Sequence, residues 1–478
     1  AVEESATTAA STSYWMTALS LGFAVFLIGT LWWMLQPDRS AGIAKTPTRI
    51  DKLSGTIISE DINNAQDNVN GTSSRMDDQS GKDSTASRLP LAPAELHTIA
   101  TSSAVVHAAT ASELPWHIFA SDVDPDTRAN AIHRATEIVP VPVLLRQMLS
   151  ETNPSVRAGL LLAITEFEQH VVLKAYSSLT ENREDAVGAS DLIEMLLHWY
   201  VADPDPEVHA CTEFLLRHWG QQDRMEELRP ILEQKLMPFD GGWYQPLHVA
   251  AMVVIPGPRT EEIGSPADEP NRFVTQEQVE DLHTVTVPYT FAMGLTEITR
   301  YQYWRCRSRY WEDSPPVEPD LPVNEIRWEH AAEFCNSLSR LNGIEEKDFC
   351  YSAVMTAGQI LWRQKPDALD LSGYRLPTDD EWEIACRAGT KTSRPFGNDL
   401  AWTDRYSVCN SAEANPINVA SRKPNSLGLF DMLGNVSEWI HTDTENAETE
   451  KGLRRIRGGS AWTPLSDVRS AARFFYPS

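Results

Sequence analysis

The chain has 478 residues, a formal net charge of −26, 42% hydrophobic residues and 15 tryptophans. Its length predicts roughly three modules, with enough apolar content for sizeable cores. The acidity and the lack of any Lys/Arg-rich run exclude a nucleic-acid partner, because phosphate binding needs clustered cations that release counterions.

Residues 1–13 read as an N-terminal tail. The stretch YWMTALSLGFAVFLIGTLWWML, Tyr14 to Leu35, contains no charged residue. At about 1.5 Å per residue a helix there spans roughly 33 Å, enough to cross the hydrocarbon layer. Tyr14-Trp15 and Trp32-Trp33 sit at its two ends like interfacial belts. It is too long for the apolar core of a signal peptide. The reading is a single-pass membrane anchor, with the lipid bilayer as partner through Tyr14–Leu35. Glu3 and Glu4 precede it, while Arg39, Lys45, Arg49 and Lys52 follow. Taken alone, those flanks put the large C-terminal body in the cytoplasm.

Residues 36–114 are rich in Ser, Thr, Asn and Asp and poor in large apolar residues, which predicts a disordered polar tether. Residues 115–232 change to a helical pattern with three similar starts: DPDTRANAI at Asp124, NPSVRAGLLLAI at Asn153 and DPDPEVHACTEFLLRHW at Asp203. Each offers Asp or Asn as helix N-cap, Pro in the first turn and apolar residues at helical spacing. Their recurrence resembles a short, irregular stack of HEAT-like repeats. Arg128 and Arg157 occupy matched positions and are expected to hydrogen-bond to neighbouring turns.

From residue 233 onward the texture becomes short strands, turns and many tryptophans. MVVIPGP predicts a strand ending in a turn, and HTVTVPYTFAMGLTEIT a half-buried strand. RWEHAAEFCNSLSRLNG predicts an amphipathic helix stopped by Gly343, and PTDDEWEIACRAG another capped by Thr378. The six cysteines form no CxxC pair and no Cys/His set with zinc spacing, so they read as buried free thiols or, in an exported domain, one disulfide.

The segments VVIPGPRTEEIGS, TEITRYQYWRC, PVNEIRWEHAAEFCNSLS, GYRLPTDDEWEIACRAGT, PNSLGLFDMLGNVSEW and RGGSAW follow one another in an order that resembles the formylglycine-generating enzyme (sulfatase-modifying factor) family. The resemblance implies an α+β, C-type-lectin-like domain over residues 233–478. Since this sequence stops at FFYPS, it also implies that the family's last strand is lacking. With the helical repeats ahead of it, the chain resembles multidomain members from planctomycete-type bacteria. The fold class expected is thus multidomain: one transmembrane helix, HEAT-like α-helical repeats and a formylglycine-generating-enzyme-type domain.

Enzymes of the family bind copper through two cysteines, and soft Cu(I) prefers thiolate sulfur. The matching positions here are Thr463 and Val468, and no cysteine follows Cys409. No copper and no formylglycine generation are therefore expected, and no catalytic residue is assigned. The resemblance also implies a structural Ca²⁺ held by the Asp431 and Glu438 side chains and the carbonyls of Gly434 and Val436, a hard-oxygen set. In the RGGSAW cassette, Gly458 and Gly459 supply unusual backbone angles, Trp462 is expected to add core surface, and Arg457, Arg469 and Arg473 are expected to serve structure.

The function expected is a membrane-anchored, non-catalytic binding or assembly subunit that contacts protein partners within a larger membrane complex. Calcium and a disulfide would favour the exported, periplasmic side for its body. Two other readings stand beside it. One is a metal-dependent oxidase or other enzyme of the superfamily with altered chemistry, for which His248, His283, His330 and His441 are the available histidines. The other is the extracytoplasmic sensor part of a receptor whose signalling portion precedes Ala1.

Overall fold

A computed structural model describes residues 114–180, 190–233, 242–273, 280–307, 314–356, 359–411, 415–441 and 453–477. The predicted tail, the anchor at Tyr14–Leu35 and all but the last residue of the tether lie outside the described residues. Among the described residues no helix is long and apolar enough to cross a membrane.

The helical segment runs through α1 (Pro125–His133), α2 (Ala135–Ile138), α3 (Val141–Ser150), α4 (Pro154–Ile164), α5 (Gln169–Thr180), α6 (Ser190–Ala202), α7 (Pro206–His218) and α8 (Gln222–Leu232). Local chemistry sets the starts. Asp124 accepts from Thr127 N–H and Asn153 from Ser155 N–H, and Pro occupies the first turn of each helix. At the third start the cap is Asp205, which accepts from Glu207 and Val208 N–H, whereas Asp203 accepts the Asp205 N–H one step earlier and Arg157 Nη1 at 3.1 Å. The earlier Asp of the DPDP repeat is therefore the wrong one, because Pro206 fixes the first helical residue. Helix α4 sits centrally against α7, α1 and α3. Gly159 lets α4 approach the chain before α1, since a Cβ there would run into the Phe119 carbonyl oxygen. Gly159→Ala is expected to cost about 1–3 kcal/mol by overpacking, read as a lowered thermal midpoint with unchanged fold at low temperature.

The C-terminal region adds β1 (Trp243–Tyr244), β2 (Met252–Ile255), β3 (Arg259–Ile263), β4 (His283–Val287), β5 (Phe291–Gly294), α9 (Arg300–Arg307), α10 (Trp328–Leu341), β6 (Tyr351–Thr356), β7 (Gln359–Gln364), α11 (Asp379–Arg387), α12 (Thr403–Tyr406), β8 (Glu438–Trp439), β9 (Leu453–Arg457) and β10 (Phe474–Pro477). The described strands form small antiparallel sheets ordered β1-β2-β5, β3-β4, β6-β7 and β8-β9-β10. HTVTVPYTFAMG is two strands and not one: β4 pairs with β3, Pro288 interrupts, and β5 pairs with β2. Proline cannot donate to a ladder, so the run changes partner there. The expected helices stand where read. Helix α11 has a full capping box between Thr378 and Glu381, and Gly343, at φ 77°, follows the end of α10.

One hydrophobic core runs through both regions, taking Leu144, Leu161 and Leu215 from the helices and Val253, Trp382 and Phe430 from the strand-rich part. Buried polar links cross the same boundary. Arg128 donates to the Phe119 carbonyl at 2.9 Å, to Ser426 Oγ at 2.8 Å and to Glu207 Oε1. Lys423, almost wholly buried, reaches back to Glu166 Oε1 at 3.0 Å, the Leu162 carbonyl and Thr165 Oγ1. Glu166 also accepts from His133 Nδ1 at 2.9 Å, and the far ring nitrogen of His133 lies 3.2 Å from the Tyr406 hydroxyl. Beside these cations the Glu166 carboxyl falls to about 2, while burial pushes His133 down. Asp126 Oδ1 accepts from Asn398 and Asp399 N–H. Uncompensated, such buried charges would be costly, so these pairings tie the two regions to one relative position.

A second, smaller core lies under α9, α10 and the β6–β7 hairpin, centred on Trp328, Leu338, Cys350 and Tyr351. All six cysteines are free, and Cys409 alone is more than marginally accessible.

Candidate functional site

The Arg457–Arg473 cassette follows from β9. Gly458 and Gly459 take φ of 82° and 77°, left-handed values that turn the chain out of the strand. The segment then closes on itself: Ser460 N–H donates to Thr463 Oγ1 at 2.8 Å, and Thr463 N–H to the Ser460 carbonyl at 2.9 Å. Asn410 N–H donates to the Thr463 carbonyl, and Ser411 N–H to that of Ala461, so the strip after Cys409 is stitched beside it. Thr463 is thus a turn-closing residue, and Val468 is fully buried in the main core. Neither position offers sulfur, and an aliphatic core residue cannot ligate or be oxidised in its place. Trp462 is 75% exposed, so the expectation that it fills the core is corrected: the turn held by Thr463 carries its side chain outward.

The three arginines serve the fold, each paired with two carboxylates. Arg457, wholly buried, donates to Asp379 Oδ1 at 2.6 Å, Glu383 Oε2 at 2.8 Å and the carbonyls of Ser470 and Ala472. Arg473 pairs with the same Asp379 and Glu383, and Arg469 with Glu269 and Glu280. Glu383 also takes Arg387 and the Gly264 N–H. This density of guanidinium holds the Asp379 and Glu383 carboxyls below their usual range.

The GLFDMLGNVSEW loop has a different electrostatic character. Asp431, at φ 54°, is buried and accepts from Ala420 N–H at 2.7 Å. Glu438 Oε2 accepts from Trp382 Nε1 at 3.0 Å. Asn435 is the hub: its amide receives Ile417 N–H and donates to the Ile417 carbonyl and to Glu297 Oε2. Glu297 also receives the Val436 N–H, and Gly434 N–H goes to the Gly458 carbonyl, which joins this loop to the cassette. Burial pushes all three carboxyls up, and repulsion adds to it at Glu438, from Asp431, and at Glu297, from both: Asp431 rises to about 6, Glu438 to about 7 and Glu297 well above the usual range. Glu297 was not singled out from the sequence. Its TEIT context reads as a strand end, and only the fold brings it to a loop more than a hundred residues later.

Among the described residues no three His, Cys, Asp or Glu converge as a metal-ligand group. The histidines weighed for an iron site are scattered. His248 lies 3.4 Å from Arg305 Nη2, exposed His283 bonds the Asp281 carbonyl, and His441 is buried and pushed down to about 4.

The antiparallel ladders, capped helices and glycine-turned cassette around this loop define an irregular α+β domain. Residues 244–477 match the sulfatase-modifying factor enzyme 1-like domain, so the chain carries a domain of that family. The chaperone protein LppX of Paenibacillus barcinonensis is 26% identical over 38% of this chain and 71% of its own length. The inactive C-alpha-formylglycine-generating enzyme 2 of Bos taurus is 35% identical over 31% of this chain and 48% of its own. The formylglycine-generating enzyme of Mus musculus is 30% identical over 20% of this chain and 30% of its own. The chain therefore spans about half the length of the inactive relative and under a third of the active one. Among solved structures, Treponema denticola variable protein 1 is 23% identical with a TM-score of 0.40, covering 50% of this chain and 94% of that one.

Proposed function

We propose that this chain is a membrane-anchored, non-catalytic binding and assembly subunit whose body stands on the exported side. The observation that carries this reading is the pair Thr463 and Val468 where copper-binding cysteines would stand, with Val468 sealed in the core. The similarity to inactive formylglycine-generating enzymes agrees with it. The shared core and the Arg128 and Lys423 links make the helical and strand-rich regions a single body for partners to grip. Such a body presents loops on a fixed base, the arrangement that suits binding. Its partners are proteins, as parts of a larger membrane complex. The native mass of the protein, extracted from its own membranes in mild detergent, is expected to exceed that of one chain, with a stoichiometric companion. A lone monomer would sink the assembly reading.

A structural calcium ion at Asp431, Glu438 and the carbonyls of Gly434 and Val436 belongs to the same proposal. Asp431 and Glu438, whose charge also presses on Glu297, have no guanidinium or ammonium bonded to them in the contacts described, a charge pattern that a hard dication would relieve. Among the described residues Glu297 does not converge with Asp431 and Glu438 as a metal-ligand group, so backbone oxygens would have to complete the shell.

A further inference from the structure

We propose that the buried chain His133–Glu166–Tyr406 is a pH latch: in mild acid a second ring proton on His133 loosens the seam between α1 and α12, where the helical and strand-rich regions meet. Its side chains come from three separate stretches. His133 ends α1, Glu166 follows α4, and Tyr406 ends α12. The imidazole is wholly enclosed, stacked on the Trp402 ring at 4.7 Å and edge-on to Tyr406 at 5.4 Å. The hydrogen bonds fix which nitrogen carries the proton. Lys423 Nζ at 3.0 Å and Arg405 Nη2 at 3.8 Å hold Glu166 ionised, so its carboxylate can only accept. His133 Nδ1 therefore donates across 2.9 Å to Glu166, and Nε2, 3.2 Å from Tyr406, accepts the phenol O–H.

A second proton can go only to Nε2. It turns the Tyr406 hydroxyl from donor to acceptor and sets another enclosed cation beside Lys423, both answered by the one carboxylate of Glu166. The other ionisable groups around the site do not relieve this. Arg128 and Glu207 pair with each other near Tyr406, His218 faces Lys423 and Glu166 from the end of α7, and burial keeps Cys211 a neutral thiol. Burial and the cations Lys423 and Arg405 thus outweigh Glu166 and hold His133 below the ordinary imidazole value. The sign follows. The stability that neutral His133 contributes is present in full above its unfolded value of about 6.5, and it is lost as pH falls from there through the folded value. Water can reach the seam. A cleft lined by Arg128, Tyr406 and Ser426 opens beside it, and a gap of about one water lies among Tyr406, Lys423 and Asp431.

The test is hydrogen–deuterium exchange of the full chain in detergent micelles at pH 7 and pH 5.5, corrected for the intrinsic amide rate at each pH. The seam is read at the Ser407 N–H, which bonds the Thr403 carbonyl at 2.8 Å. Its protection is expected to fall by up to about eightfold, the limit for uptake of one proton at an unfolded value of about 6.5. Amides of α10, in the smaller core, are expected to stay level. His133→Asn keeps a donor where Nδ1 stands but cannot take a proton, so its seam protection is expected to stay level too. Tyr406→Phe removes the O–H that keeps a proton off Nε2, which lifts the folded value towards the unfolded one and shrinks the acid effect. An equal loss in α10 would mean general acid unfolding and overturn the proposal. So would an unchanged seam in the wild type, or the same loss in His133→Asn. Should His133→Asn already loosen the seam at pH 7, Tyr406→Phe decides: an acid effect as large as that of the wild type overturns the latch.

Discussion

Glu383→Ala is expected to be the most damaging single substitution in the strand-rich domain, lowering stability by about 3–5 kcal/mol. Glu383 is fully buried and receives Arg387 Nε, Arg457 Nη2, Arg473 Nη2 and the Gly264 N–H. Truncation removes one negative charge and leaves three guanidinium groups around the void, with Asp379 alone to answer Arg457 and Arg473. Their repulsion in a dry site is what costs, more than the lost contacts. Glu383→Gln keeps the shape and one acceptor oxygen, so it is expected to fall between the wild type and Glu383→Ala. Urea unfolding followed by near-UV and far-UV circular dichroism would rank the three. If Glu383→Ala matched the wild type, the arginine cluster would not be what holds this domain together. The sign against pH follows from the depressed carboxyls: this stabilisation is present above the ordinary carboxylate range and is lost as pH falls through the folded values of Glu383 and Asp379.

These arginines also mark how far the sequence could be read. Their structural role was legible because spaced arginines beside a Gly-Gly turn and acids in the first turn of α11 are complementary in charge. The Thr378 capping box and the proline-opened helices were legible for the same local reason, since the atoms that satisfy them lie within a turn. What depends on distant segments was not. Whether Trp462 is buried depends on how Thr463 closes a turn, and Trp's apolarity argues for the core wherever it stands. Lys423 and Arg128 reveal their partners only when residues far apart in the chain are packed together, so the sequence showed two textures where the main core runs through both. Glu297 was hidden for that reason too. At the loop it meets, Asp431 and Glu438 were singled out through the family resemblance, but the hydrogen-bonding hub at Asn435 that positions Glu297 was not.

That third carboxyl changes what calcium should do. In calcium-free buffer Glu438→Gln is expected to become more stable than the wild type as pH rises from 5 to 8, by about 3 kcal/mol at the upper end. The sign is fixed by direction. Glu438 is raised to about 7 and Asp431 to about 6 in the fold, so the stability they contribute is complete below their unfolded values and disappears as pH climbs through the folded ones. Gln cannot ionise, and its neutrality also relieves Glu297, whose carboxyl is pushed up in part by Glu438. His441, pushed down to about 4, favours the fold at higher pH instead, but it is common to both proteins and cancels in the difference. Saturating Ca²⁺ should reverse the order at pH 8, because an ion that binds only the folded wild type adds RT ln(1 + [Ca]/Kd) to its stability. Thermal midpoints of the two proteins in EDTA and in millimolar calcium separate the possibilities. Parallel pH curves would mean that the carboxyls do not strain one another. A crossing in EDTA that calcium leaves unchanged would mean that the loop holds its protons, not a metal.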